Sequence, residues 1–114
     1  MSIKREEVMN GAPATLDGLQ MRASARSVTA VLRALANEDR LLLLCQMAHG
    51  ERSVGDLEAQ LDIRQPTLSQ QLGVLRAEGL VTTRREGKRI YYAVADPKVL
   101  TLLGTLYALY CPTP

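Results

Sequence analysis

The chain is short of the features that mark secreted, membrane-spanning or catalytic proteins. It has one histidine and two cysteines in 114 residues, and nowhere the ~18 consecutive apolar residues that a membrane span needs. Residues 1–10 carry Lys4, Arg5, Glu6 and Glu7 without an apolar run, which argues against a secretion signal. The expectation is a cytoplasmic protein with no membrane partner. No glycine-rich loop suited to cradling phosphate is present, and neither a carboxylate pair nor a nucleophile with an adjacent base stands out. An enzyme is therefore the weakest class, and neither a cofactor nor a bound metal is expected.

What is present suits one soluble domain. Hydrophobic residues make up 46% and charged residues 23%, too apolar for a disordered chain. The length fits a single domain with a real core. The expected division is a lead-in over 1–15, a folded region over 16–111 and a tail over 112–114. The net charge of +2 arises in the second half, since residues 1–60 hold seven Lys/Arg against eight Asp/Glu and residues 61–114 hold seven against four. Arg84, Arg85, Lys88 and Arg89 fall within six residues opposed only by Glu86. Such a patch suits a phosphate partner, or else a solvated charged hairpin.

Apolar spacing predicts the elements. Over 16–36, Ala25, Val28, Leu32 and Leu35 recur at helical intervals. Asn37 is suited to cap a second helix over 38–49, whose LLLLCQMA is apolar all round and marks it as central. Ser53 and Asp56 form a capping-box-like start to a short third helix with Val54, Leu57 and Leu61 inward. In the fourth helix, RQPTLSQQLGVLRAEGLV over 64–81, Pro66 suits the first position and Leu68, Leu72 and Leu75 form a narrow stripe. VTTRR and RIYYAV read as two strands joined near Gly87. Asp96 and Pro97 open a last helix in which Val99, Leu102, Leu103, Leu106, Leu109 and Tyr110 cover nearly half the circumference, with Leu100 and Tyr107 at the margins. So wide an apolar face implies a second subunit, with the first and last helices as the seam.

A short helix, a tight turn, a second helix and a basic hairpin make a winged helix-turn-helix. The expected fold is mainly α with a small antiparallel hairpin, about five helices and a homodimer. Thr67 and Gln70 point away from the leucines, Ser69 and Gln71 lie on the flanks, and Gln65 sits at the helix start. Glutamine pairs bidentately with adenine, and hydroxyls serve base edges or phosphates, so this face needs no charge to read double-stranded DNA. Free amides at the helix start offer a phosphate site, and Arg84, Arg85, Lys88 and Arg89 offer backbone contacts. By composition alone, an ordinary polar surface competes with this reading, and an architectural or protein-interaction module using the same fold remains open.

The segments ALANEDRLLLLCQM, SVGDLEAQLDIRQPTLSQQLGVLRAEGLV and TRREGKRIYYAVAD resemble the ArsR/SmtB family of small dimeric winged-helix repressors over residues 20–111. The resemblance implies operator DNA as partner, Gln65, Thr67, Ser69, Gln70 and Gln71 as groove or phosphate contacts, and Arg84, Arg85, Lys88 and Arg89 as wing contacts. Metal-sensing members place a Cys-x-Cys pattern where this chain has Ser53-Val54-Gly55, and Asp96 stands without the histidines of the zinc-sensing last helix. Metal sensing at those two places is not expected. His49, near the end of the second helix, suits an interaction with free carbonyls.

Cys45 shares a side of the second helix with Leu41 and Ala48, and Cys111 ends the last helix after Tyr107 and Tyr110. A cysteine in an apolar helix is commonly just a small hydrophobe. LLLLCQ and LYALYCP, however, resemble the two-cysteine SqrR/BigR subgroup of the family. That resemblance implies Cys45 and Cys111 as a dithiol sensor, reactive sulfur species as inducer, and control of genes for sulfide or sulfur stress. A general thiol-oxidation sensor and a soft-metal sensor are the alternatives.

Overall fold

The computed structural model describes residues 17–112, so the expected lead-in over 1–15 and the last two residues of the expected tail lie outside the described residues. The chain divides into two units, 1–30 and 31–114, with the boundary inside the first helix, α1 (Gly18–Leu35). In the first unit, Asp17 caps α1. Its Oδ1 accepts from the Gln20 amide at 2.8 Å, and its own amide donates to Gln20 Oε1 at 3.3 Å, a reciprocal pair that satisfies two end amides. Ala25 and Val28, whose spacing places them on one side of this helix, are exposed.

In the second unit Leu32 is exposed as well, while Ala34 and Leu35 of α1 are buried in the core and Val31 packs against it. The helix itself is as the spacing predicted. Asn37 then caps α2 (Glu38–Met47), its side chain accepting from the Arg40 amide at 3.0 Å, with Glu38 and Asp39 at the positive helix end. Leu43, Leu44 and Met47 are buried and Leu41, Cys45 and Ala48 half-buried, which makes α2 the central helix. It ends two residues before the expected boundary, leaving His49 exposed in the following turn.

A strand not foreseen from the sequence, β1 (Arg52–Ser53), precedes α3 (Val54–Leu61). Two residues are too few to show an alternating pattern. The capping box is complete, with Ser53 Oγ accepting from the Asp56 amide and Asp56 Oδ2 from the Ser53 amide, each at 3.1 Å. The bond from the Ser53 amide, with the Ser53 hydroxyl second, holds the Asp56 carboxyl below its ordinary range. Asp62 ends α3 in the left-handed conformation, φ 53°, and the chain turns into α4 (Thr67–Ala77). Pro66 is the residue before that helix rather than its first.

Leu68, Leu72 and Leu75 are buried as their spacing required, and α4 packs on α2 through this stripe. Gly79, at φ 72°, supplies the stop. β2 (Val81–Glu86) and β3 (Arg89–Val94) then pair antiparallel from Val81 opposite Val94 to Glu86 opposite Arg89, and β1 adds to the outer edge of β3, giving the order β1-β3-β2. Gly87, at φ 63°, takes the first place of a two-residue turn, where glycine meets no Cβ penalty. Finally Asp96 caps α5 (Pro97–Tyr110) by accepting from the Lys98 amide at 2.9 Å. Val99 and Leu103 face the core and Leu102 and Leu106 lie at its edge, while Leu100, Tyr107, Leu109 and Tyr110 remain 39%, 55%, 71% and 80% exposed.

Candidate nucleic-acid interface and thiol pair

The buried leucines decide which way α4 presents its other residues. At 100° per residue the stripe puts Gln70 at the middle of the opposite face, with Thr67, Gly73, Val74 and Ala77 within about 60° of it. Gln70 is exposed and Thr67 half-buried. The flanks differ. On one, Gln65 Oε1 accepts from the Ser69 amide at 3.2 Å and from Ser69 Oγ at 2.5 Å, so these two predicted contact residues first satisfy each other. On the other, Gln71 Oε1 accepts from Arg40 Nη1 at 2.8 Å. Neither pairing was visible in the sequence, because Gln65 acts as a side-chain cap from outside the helix and Arg40 lies 31 residues from Gln71.

The free amides expected at the start of α4 need correction. Leu68 donates to Arg64 O at 3.0 Å, Gln70 to Pro66 O at 3.1 Å and Ser69 to the Gln65 side chain, while Pro66 has no amide hydrogen. Among the described residues the Thr67 amide makes no such bond, so one open donor remains for an anion at the helix start, and any further contact would have to displace these bonds.

In the hairpin, strand alternation separates residues that are adjacent in sequence. Arg84 stands opposite Tyr91 and shares a face with Glu86 and Arg89, whereas Arg85, opposite Ile90, lies on the other face and Lys88 is in the turn. The four cations are thus not one patch. Arg84 is the most committed: Nε and Nη2 donate to the two oxygens of Glu51 at 3.0 and 2.9 Å, and Nη1 donates to Glu86 at 2.6 Å. Its guanidinium also lies 4.7 Å from the Tyr91 ring centroid. The carboxylates strengthen the Arg84 charge, and the Arg84 hydrogen bonds hold the Glu51 carboxyl down. Arg85, Lys88 and Arg89 are exposed and, among the described residues, make no ion pair.

Cys45 is half-buried on α2, and Cys111 is exposed immediately after α5, where its amide donates to Tyr107 O at 2.9 Å. Both thiols are free. Burial pushes the Cys45 thiol up, and the charge of Cys111 raises it further. Among the described residues no three His, Cys, Asp or Glu side chains cluster as metal ligands, and no helix is long and apolar enough to cross a membrane.

Comparison with known proteins agrees with this geometry. Residues 37–83, from the α2 cap through α4 into β2, match the model of the arsR family of bacterial regulatory proteins. A biofilm growth-associated repressor from Agrobacterium fabrum is 56% identical over 91 residues, covering 80% of this chain and 78% of the relative. This chain belongs to the ArsR family. It is a transcriptional repressor of the ArsR type, in a family of regulators rather than enzymes. The crystal structure of the transcriptional repressor BigR from Xylella fastidiosa superposes with a TM-score of 0.78 at 44% identity, over 86% of this chain and 100% of that one. The homodimeric winged helix-turn-helix DNA-binding domain of a possible ArsR-family regulator from Mycobacterium bovis aligns at a TM-score of 0.69 and 34% identity, over 85% and 89% of the two chains. The mainly α winged fold expected from the sequence is therefore the fold of this ArsR-family chain.

Proposed function

We propose that this repressor is a sequence-specific homodimer that releases its operator when Cys45 and Cys111 react with sulfane sulfur. The observation that carries the reading is the thiol pair itself: two free cysteines, one half-buried on the central helix and one exposed at the end of α5. The apolar outer face of α5 supports the dimer, and a homodimeric relative uses the same fold. Gln70 and Thr67 are the base-reading side chains, Gln65, Ser69 and Gln71 flank them, and Arg85, Lys88 and Arg89 with Arg84 supply the wing. Two recognition helices must meet half-sites about 34 to 36 Å apart, so a small change at the seam weakens both contacts together.

The exposed thiolate of Cys111 attacks the terminal sulfur of a persulfide R–S–SH. The sulfur–sulfur bond breaks with its electron pair leaving as R–S⁻, and Cys111 becomes a persulfide. The Cys45 thiolate then attacks the Cys111 sulfur, forming the disulfide and expelling HS⁻. When both cysteines carry a persulfide, attack of one on the other retains one sulfur in the bridge and again releases HS⁻. Thiol reductants restore the starting state. The genes controlled would be those that handle sulfide or sulfur stress.

The test joins intact mass with binding to the duplex that the protein selects from a randomised pool. Bridging with retained sulfur after persulfide treatment, accompanied by loss of binding, is the expected result. Equal loss with peroxide and persulfide would favour the general thiol-oxidation reading, which the exposure of Cys111 also suits. Metal retained by the reduced protein would favour a soft-metal sensor, and unchanged binding by fully bridged protein would sink the switch. An architectural module predicts no selected sequence at all.

A further inference from the structure

Arg40 occupies a position that neither the recognition face nor the thiol pair explains. It sits in the first turn of α2, half-buried, and among the described residues it pairs with no carboxylate. Its three guanidinium nitrogens go to three neutral oxygens on two different helices. Nε donates to Ala34 O at 2.8 Å and Nη2 to Arg33 O at 3.3 Å, which closes the C-terminal end of α1, where carbonyls lack helical partners and the dipole is negative. Nη1 donates to Gln71 Oε1 at 2.8 Å, on the flank of α4. The planar guanidinium makes this a fixed geometry rather than a flexible tether.

We propose that Arg40 is a positioning residue for the recognition helix, and that Gln71 receives this link instead of reading a base. The inference rests on α4 being the operator-reading helix. A displacement of the last turn of α1 reaches α4 through one rigid group, and Gln71 transmits it to Thr67 and Gln70 without touching DNA. A half-buried cation held only by neutral acceptors keeps its donors directed at them, since turning away would leave the charge poorly solvated. Gln71 is thereby removed from the DNA-contact set named from the sequence, and Arg40 enters the specificity of the protein without lying in the groove.

The experiment measures the affinity of the full-length protein for the duplex selected by the wild type and for a scrambled duplex, across salt concentrations and per active molecule. Gln71→Glu keeps an acceptor for Arg40 and is expected to retain the selected-to-scrambled ratio within about threefold. Gln71→Ala and Arg40→Gln are each expected to lower that ratio about tenfold at an unchanged salt slope, with the double variant no worse than either single. A role only in stability would lower the melting temperature and the active fraction but leave the ratio alone. The proposal is overturned if Gln71→Glu abolishes selection, if Gln71→Ala relaxes the choice at one base pair only, if the two effects add, or if the ratio does not move. A wild-type protein that selects no sequence would overturn the recognition-helix reading, and this proposal with it, whereas loss of selection in Gln70→Ala with no change in Arg40→Gln would overturn this proposal alone.

Discussion

In the proposed function, α4 and the hairpin meet the same DNA with opposite chemistry. α4 presents uncharged amides and hydroxyls, suited to directional contacts, and the hairpin presents cations, suited to a field around a phosphate backbone. Each nevertheless commits some of its polar residues to the scaffold: Gln65 with Ser69 and Gln71 with Arg40 on the helix, Arg84 with Glu51 and Glu86 on the wing. What remains outward is a shorter list, Thr67 and Gln70 on one side and Arg85, Lys88 and Arg89 on the other. Composition identifies which residues could touch DNA, and the internal hydrogen bonds decide which can do so at no cost in structure.

The strongest way to break the comparison is to remove what holds the helix. Leu72→Ala is expected to destabilise the fold by about 2 to 5 kcal/mol, since the side chain is fully packed, and denaturant unfolding measures it. A loss below half a kcal/mol would mean that α4 is not anchored through its leucines. Next in size, Gln70→Ala is expected to cost about 1 to 3 kcal/mol of operator affinity and to relax preference at a single base pair, measured by binding to a panel of point-substituted duplexes.

Lys88→Gln sharpens the contrast between the regions. It is expected to weaken selected and scrambled duplexes alike and to lower the salt slope by about 0.9, as one lost phosphate contact would, whereas Arg84→Gln leaves that slope nearly unchanged because its charge is already answered by carboxylates. Equal slopes for the two variants would put Arg84 on the DNA. The smallest effect concerns pH. The Glu51 and Asp56 carboxyls are held low in the folded protein, so their contribution is present above their unfolded values, near 4.5 and 3.8, and fades as the pH falls below them. Glu51→Gln is expected to flatten part of that acid limb in a melting-temperature series, and an unchanged limb would remove Glu51 from it.

Most of the fold was legible in the sequence because its signals are local: Asn37, Ser53 and Asp96 as caps, the leucine spacing of α4, and Gly87 at the turn. What escaped was non-local. β1 is recognised only through its pairing with β3. Within the candidate site, the residue types and their helix faces were readable, and the thiol pair was carried by resemblance to a family. The anchoring partners were not, since Glu51 is 33 residues from Arg84 and Arg40 is 31 from Gln71, with no periodic pattern joining either pair.

The unbroken register of the hairpin makes the wing a ruler. Six residues on each strand pair one-to-one up to a turn of only two, with no bulge to absorb a change in length. At about 3.3 Å per residue, two more residues in each strand would keep every side chain on its own face and carry Lys88 outward by about 7 Å, the rise of roughly two base pairs. In the proposed function, wing length would thus set how far from the groove contacts the protein grips the duplex, independently of the bases that α4 selects.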